Sequence, residues 1–75
     1  PNPTPDFIIL KIASDDLLTK RWVYSLFDIN GRILQSNTII TNETSIDFSN
    51  LDPAIYFLRV FDESEEVKVF KIIKI

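Results

Sequence analysis

The sequence predicts an all-β fold, a small antiparallel β-sandwich of about six to seven short strands. Three observations carry that expectation. Short runs rich in β-branched and aromatic residues follow one another along the chain, polar breaks separate them, and apolar residues alternate within several of them. With 75 residues there is room for one core. A chain this short buries only about 60% of the surface its unfolded state exposes. Small folds often add disulfides or a metal, but this sequence has no Cys and no His. Twelve Ile, six Phe, Trp22 and two Tyr must supply the core alone.

Three of the four prolines fall in the first five residues. Such a segment is extended and cannot donate fully to a sheet, so residues 1–6 read as a linker end leading into a sandwich over 7–75. The opening Pro1-Asn2-Pro3 also reads as the start of a piece cut from a larger protein. The first run is Phe7 to Ile12, closed by the break Ser14-Asp15-Asp16. The second covers Trp22 to Ile29 and the third Arg32 to Ile40. A short run spans Thr44 to Phe48, a strong one Ile55 to Phe61, and the last Val67 to Ile75. Alternation puts Ile8, Leu10 and Ile12 on one face, as it does Trp22, Tyr24 and Leu26, and Tyr56, Leu58 and Val60. Phe7, Ile9, Phe27 and Phe57 fall on the opposite faces. Both faces are thus partly apolar, and weak self-association through sheet edges or those outer faces is expected.

Asn30-Gly31 marks a hairpin turn between the second and third runs. A two-residue loop sets Ile29 opposite Arg32 and Leu26 opposite Gln35. A three-residue loop, Ile29-Asn30-Gly31 with Gly31 left-handed, sets Asp28 opposite Arg32 and Leu26 opposite Leu34. Matching apolar residues across the strands favours the three-residue loop. Gly31 is the one glycine in the chain, which fits a position of positive φ. The last run is ambiguous by pattern. A strand puts Lys68, Phe70, Ile72 and Lys74 on one face and Val69, Lys71, Ile73 and Ile75 on the other. A helix would cluster Lys68, Lys71 and Lys74. Five β-branched residues in nine favour the strand.

Several function classes are poorly served by this composition. A net charge of −3 argues against the basic face that nucleic acid needs. The longest fully apolar run, Ala54 to Leu58, is far below the roughly 20 residues that span a bilayer. Nucleophilic catalysis wants a base beside the nucleophile, and no Ser–Lys spacing suggests one. No cofactor is expected. The acids of Asp62-Glu63-Ser64-Glu65-Glu66 could offer oxygens to calcium. They lack the alternating ligands and mid-loop Gly of a calcium loop, so a solvated hairpin tip is preferred. Trp22, Phe27, Phe57 and Phe61 could form a sugar-stacking platform, but aromatics in short strands are more often core. Lys68, Lys71 and Lys74 read from pattern as protection of an edge strand.

One ordered set of motifs runs the length of the chain. Pro1-Asn2-Pro3-Thr4 opens it, and the strand Phe7 to Ile12 follows. The middle carries Leu26-Phe27-Asp28-Ile29-Asn30-Gly31-Arg32, then Ile46-Asp47-Phe48-Ser49-Asn50-Leu51. A Tyr strand, Ile55-Tyr56-Phe57-Leu58-Arg59-Val60, precedes the basic, apolar end Val69 to Ile75. In this the chain resembles the C-terminal sorting domains of type IX secretion cargo in Bacteroidetes. It departs from their pattern before the Tyr strand, where Asp52-Pro53-Ala54 stands in place of a usual Gly, so that turn is expected to use another geometry.

The resemblance implies an immunoglobulin-like sandwich that serves as an address and not as an enzyme. It implies passage through the periplasm, then through an outer-membrane translocon to the cell surface or beyond, with removal by a sortase-like peptidase. It also makes the last run a strand and gives Lys68, Lys71 and Lys74 a second reading beside edge protection, as a recognition surface for the export machinery. The residues it singles out are Pro1, Asn2, Pro3, Asp28, Gly31, Arg32, Tyr56, Lys71 and Lys74. The competing reading is a structural or carbohydrate-binding immunoglobulin-like module of a surface protein.

Overall fold

The structure, a computed structural model, describes residues 6–13, 15, 20–63 and 65–75, with 65–67 in backbone only. Six strands form two antiparallel sheets: β1 (Phe7–Lys11), β2 (Trp22–Phe27), β3 (Ile33–Ile39), β4 (Glu43–Asp47), β5 (Ala54–Asp62) and β6 (Glu65–Lys74). One sheet has the order β3-β2-β5-β6, and the other pairs β1 with β4. The fold is the small all-β sandwich that the alternating runs predict. The final run is a strand, paired along β5 from Asp62↔Glu65 to Ala54↔Lys74.

Alternation decides which side of each strand is buried. Ile8 and Leu10 from β1 and Ile46 from β4 meet Trp22, Tyr24 and Leu26 from β2. Tyr56, Leu58 and Val60 from β5, Ile72 from β6, Ile39 from β3 and Phe48 just beyond β4 complete the core. Leu26, Phe48, Ile46 and Leu58 are the largest fully enclosed side chains. Backbone bonds hold the small sheet at both ends: the Phe48 N–H donates to the Asp6 carbonyl at 2.6 Å, and that of Ile12 to Asn42 at 2.9 Å.

The β2–β3 hairpin corrects one expectation. Its loop has three residues, as predicted: the Asp28 N–H donates to the Arg32 carbonyl at 3.0 Å, and Gly31 has φ 84°. Leu26, however, lies opposite Gln35 and not Leu34, because a bulge follows the Phe27↔Ile33 pair. The extra residue is Leu34. It still packs against the core, so the bulge lets both Leu34 and the Gln35 register serve the inner side. The gain is polar as well as apolar. Gln35 Nε2 donates to the Asp47 carbonyl at 3.2 Å, tying the edge of one sheet to the other. The Tyr24 hydroxyl, between Asn37 Nδ2 at 3.1 Å and Gln35 Oε1 at 3.5 Å, has partners at the same place.

Gly31 has open space where a Cβ would stand, so backbone strain alone resists substitution there. Gly31→Ala is expected to cost about 1–2 kcal/mol. In a domain of this size that lowers the Tm by roughly 4–8 °C per kcal/mol, with Gly31→Asn costing less. Thermal melts of the two variants read this directly. An alanine variant melting with the parent would show that the loop does not need positive φ.

Candidate functional site

The sequence motifs fall on turns, and the register gathers those turns at one end of the sandwich. The Asp28–Arg32 loop closes β2 to β3 there. The segment after Asp47 leads into Ala54, Ala54 pairs with Lys74 near the end of β6, and Asp6 is bonded to Phe48. The acidic hairpin tip, Asp62 and Lys20 lie at the opposite end. Pro1, Asn2 and Pro3 lie outside the described residues.

Asp28 organises the first turn. Its Oδ1 accepts the backbone N–H of Asn30 at 2.9 Å and that of Arg32 at 3.0 Å, while Oδ2 accepts Arg32 Nε at 3.2 Å. The Gly31 N–H adds a bond to the Asp28 carbonyl at 3.0 Å. An Asp two residues before the turn centre can fold back this way because its side chain is one bond shorter than that of Glu. The Arg32 guanidinium is largely exposed, so the ion pair itself adds little. The backbone donors do most of the stapling.

The second turn repeats the device. Asp47 Oδ1 accepts the Ser49 N–H at 2.8 Å, and the Leu51 N–H donates to the Phe48 carbonyl at 3.0 Å. From β5, the Tyr56 hydroxyl donates to the Asp52 carbonyl at 2.7 Å. This is the geometry of a tyrosine corner, in which a strand-borne Tyr ties down the chain just upstream. The Tyr56 ring meets Phe48 edge to face, at 5.9 Å and 81°. Burial, then the negative charges of Asp52 and Asp28, raise the Tyr56 pKa and keep its hydroxyl a donor. Ala54 does not take positive φ. The Asp52-Pro53-Ala54 turn therefore manages without the usual Gly, held by this hydroxyl.

Both turn carboxylates have pKa values below the ordinary Asp range. The chief cause at Asp28 is the Arg32 backbone N–H, and at Asp47 the Ser49 backbone N–H. Lowered folded values give stability that is fully present above the unfolded Asp pKa of about 3.9. That stability is lost as pH falls through the lower folded values. The Tm should hold from neutral pH to about 4 and fall below it, with a shallower fall in Asp28→Asn. Equal acid slopes for parent and variant would remove Asp28 from this role.

Lys71 and Lys74 point to opposite faces of β6. Lys71, opposite Phe57, is exposed on the outer side; Lys74, opposite Ala54, is half-buried, with Nζ 3.0 Å from the Ile75 carbonyl oxygen. Lys68 shares the inner side with Lys74 and lies 5.2 Å over its own neighbour Phe70. The three lysines thus form no single patch. Trp22 is likewise separated from Phe27, Phe57 and Phe61: it is buried in the core, and they lie half-buried on the outer side. The four-ring sugar platform is not assembled. At the far end Asp62 is buried and pairs with Lys20 at 3.2 Å, and no group of three or more metal-capable side chains occurs among the described residues.

These turns and the Tyr strand are the parts of the motif set that define its order, and the comparison with protein families agrees with them over the whole chain. The profile of the secretion system C-terminal sorting domain matches residues 1–75. The chain belongs to that family. No individually curated protein matches it. The sorting domain is a signal for type IX secretion, which implies interaction with that machinery and export to the cell surface or the extracellular space. Its family is not a catalytic one, and the spacer or carbohydrate-binding alternative is not favoured.

Sequence reading missed Asp47 and Gln35 as residues that hold this end of the sorting domain. The Asp-x-Ser spacing of Asp47 and Ser49 was a usable signal for the former. Nothing local marks Gln35, whose partner lies 12 residues away on another sheet.

Proposed function

We propose that the sorting domain is read as a folded shape, by the outer-membrane translocon, after its cargo has reached the periplasm. A sortase-like peptidase then removes the domain, and the domain itself performs no catalysis. In this reading residues 1–6 are the linker end that joins cargo to address, and 7–75 are the address. Asp28, Gly31, Arg32 and Tyr56 hold the turns at the reading end, while Lys71 and Lys74 present charge along β6. Pro1, Asn2 and Pro3 mark the junction between cargo and address. The observation that supports this most is the clustering of the motif turns, the entry at Asp6 and the end of β6 at one pole of the sandwich.

A periplasm-targeted reporter carrying residues 1–75 at its C-terminus, in a host with the type IX machinery, tests the reading. Surface display or release of the reporter is expected, with a size change if the peptidase acts. A reporter that accumulates in the periplasm would overturn it.

A further inference from the structure

The chain has five asparagines, and the residues that follow them are Pro3, Gly31, Thr38, Glu43 and Leu51. An asparagine followed by glycine is the one placed to cyclise on itself, because no side chain shields the amide nitrogen that attacks. Asn30 meets the other requirements. It is exposed, its side-chain amide forms no hydrogen bond with the described residues, and nothing lies within 4 Å of where a Gly31 Cβ would stand.

The chemistry exchanges ammonia for water. The Gly31 nitrogen loses its proton to a base in solution and bonds to the Asn30 Cγ. The side-chain nitrogen then leaves as ammonia, taking up a proton in turn. Water opens the cyclic imide at either carbonyl carbon. One opening gives aspartate, and the other gives isoaspartate, in which the main chain runs through Cβ. No electrons are transferred, and water is the co-reactant.

The folded turn blocks the first step. The Gly31 N–H donates to the Asp28 carbonyl at 3.0 Å, and the Asn30 N–H to Asp28 Oδ1 at 2.9 Å. The peptide groups on both sides of Asn30 are thus pinned to one residue. A nitrogen that attacks Cγ cannot keep its proton in that bond, so the turn must open first. Cyclisation then runs only in the open fraction, which amide hydrogen exchange also measures. The isoaspartyl product adds an atom to a loop whose length sets the strand register, and it places a second carboxylate beside that of Asp28.

We propose that Asn30 is a self-modification site, where the amide becomes a carboxylate while the β2–β3 turn is open and is preserved while it is closed. The turn thereby records the time a molecule has spent unfolded. This inference stands apart from the sorting reading, and its test needs no export.

The 75-residue chain is aged at mildly alkaline pH, folded and in guanidinium chloride. Peptide mapping by mass spectrometry follows each asparagine, and hydrogen exchange gives the protection of the Gly31 amide. In denaturant Asn30 should react ahead of Asn37, Asn42 and Asn50. In the folded chain its reaction should slow by the factor that protects the Gly31 amide, and the purified isoaspartyl form should melt below the parent. Asp28→Ala removes the acceptor of the Asn30 and Arg32 N–H groups. It should speed the reaction in the folded domain about tenfold, since bonds to a charged acceptor are among the stronger ones. Equal rates for the folded and unfolded parent overturn the proposal whether or not the variant folds. So does an Asn30 that reacts no earlier than the other asparagines, or a folded Asp28→Ala domain that ages no faster than the parent.

Discussion

Phe48→Ala is expected to cost the sorting domain a large share of its stability and to lower export of its reporter. Phe48 is fully enclosed, and its ring packs against Tyr56, the residue that ties down the turn before β5. Truncating a buried Phe costs about 3–5 kcal/mol in lost burial and residual cavity. A typical stability of roughly 0.05–0.15 kcal/mol per residue gives a 75-residue domain about 4–11 kcal/mol in total. One substitution therefore removes a large share of it. Neither a disulfide nor a second core absorbs the loss. Denaturant melts with and without the substitution give the size of the effect, and the export assay gives its consequence. If the variant unfolds yet the reporter still reaches the surface, the address is read as a linear segment and the folded-shape reading fails.

Removing Lys71 to Ile75 is expected to abolish export as well, by a route that needs separating from unfolding. The deletion takes Ile72 out of the core and strips the partners of Ala54, Ile55, Tyr56 and Phe57 from β5. Lost packing alone could melt so small a sandwich. Charge reversal, Lys71→Glu and Lys74→Glu, keeps Ile72 and Ile73 in place. The two lysines face opposite sides of β6, so the single variants report on different surfaces. A folded domain with either reversal that exports less well than the parent locates recognition on that side. Normal export by the folded double variant means that the lysines only discourage edge pairing.

The strands themselves were legible because alternation needs only neighbours two residues apart. Ile8 and Leu10, or Tyr56, Leu58 and Val60, declare their buried face without knowledge of the rest of the chain. The Gly31 loop was legible for a similar reason, since its conformation depends on four or five consecutive residues. The Leu34 bulge was not. It is stabilised by the partners of Gln35 and by core space beneath Leu34, both supplied from elements distant in sequence. Within the candidate set, Gly31 and the Asp28–Arg32 pairing follow from local turn chemistry. The Tyr56 hydroxyl bond depends on where the chain at Asp52 is placed by a neighbouring turn. Opposite orientations for Lys71 and Lys74 follow from the strand assignment, which pattern alone left ambiguous.

The pairing of β1 with β4 and of β2 with β5 bears on the timing of assembly. Those partners are separated by tens of residues, and the centre of the larger sheet exists only once β5 is present. Long-range pairings of this kind form late and comparatively slowly. A polypeptide broken off before residue 54 keeps only the two-stranded β2–β3 and β1–β4 pairs, each marginal in water, and lacks the four-stranded sheet. If the address is read as a folded shape, prematurely terminated products lack a finished address and are expected to stay behind.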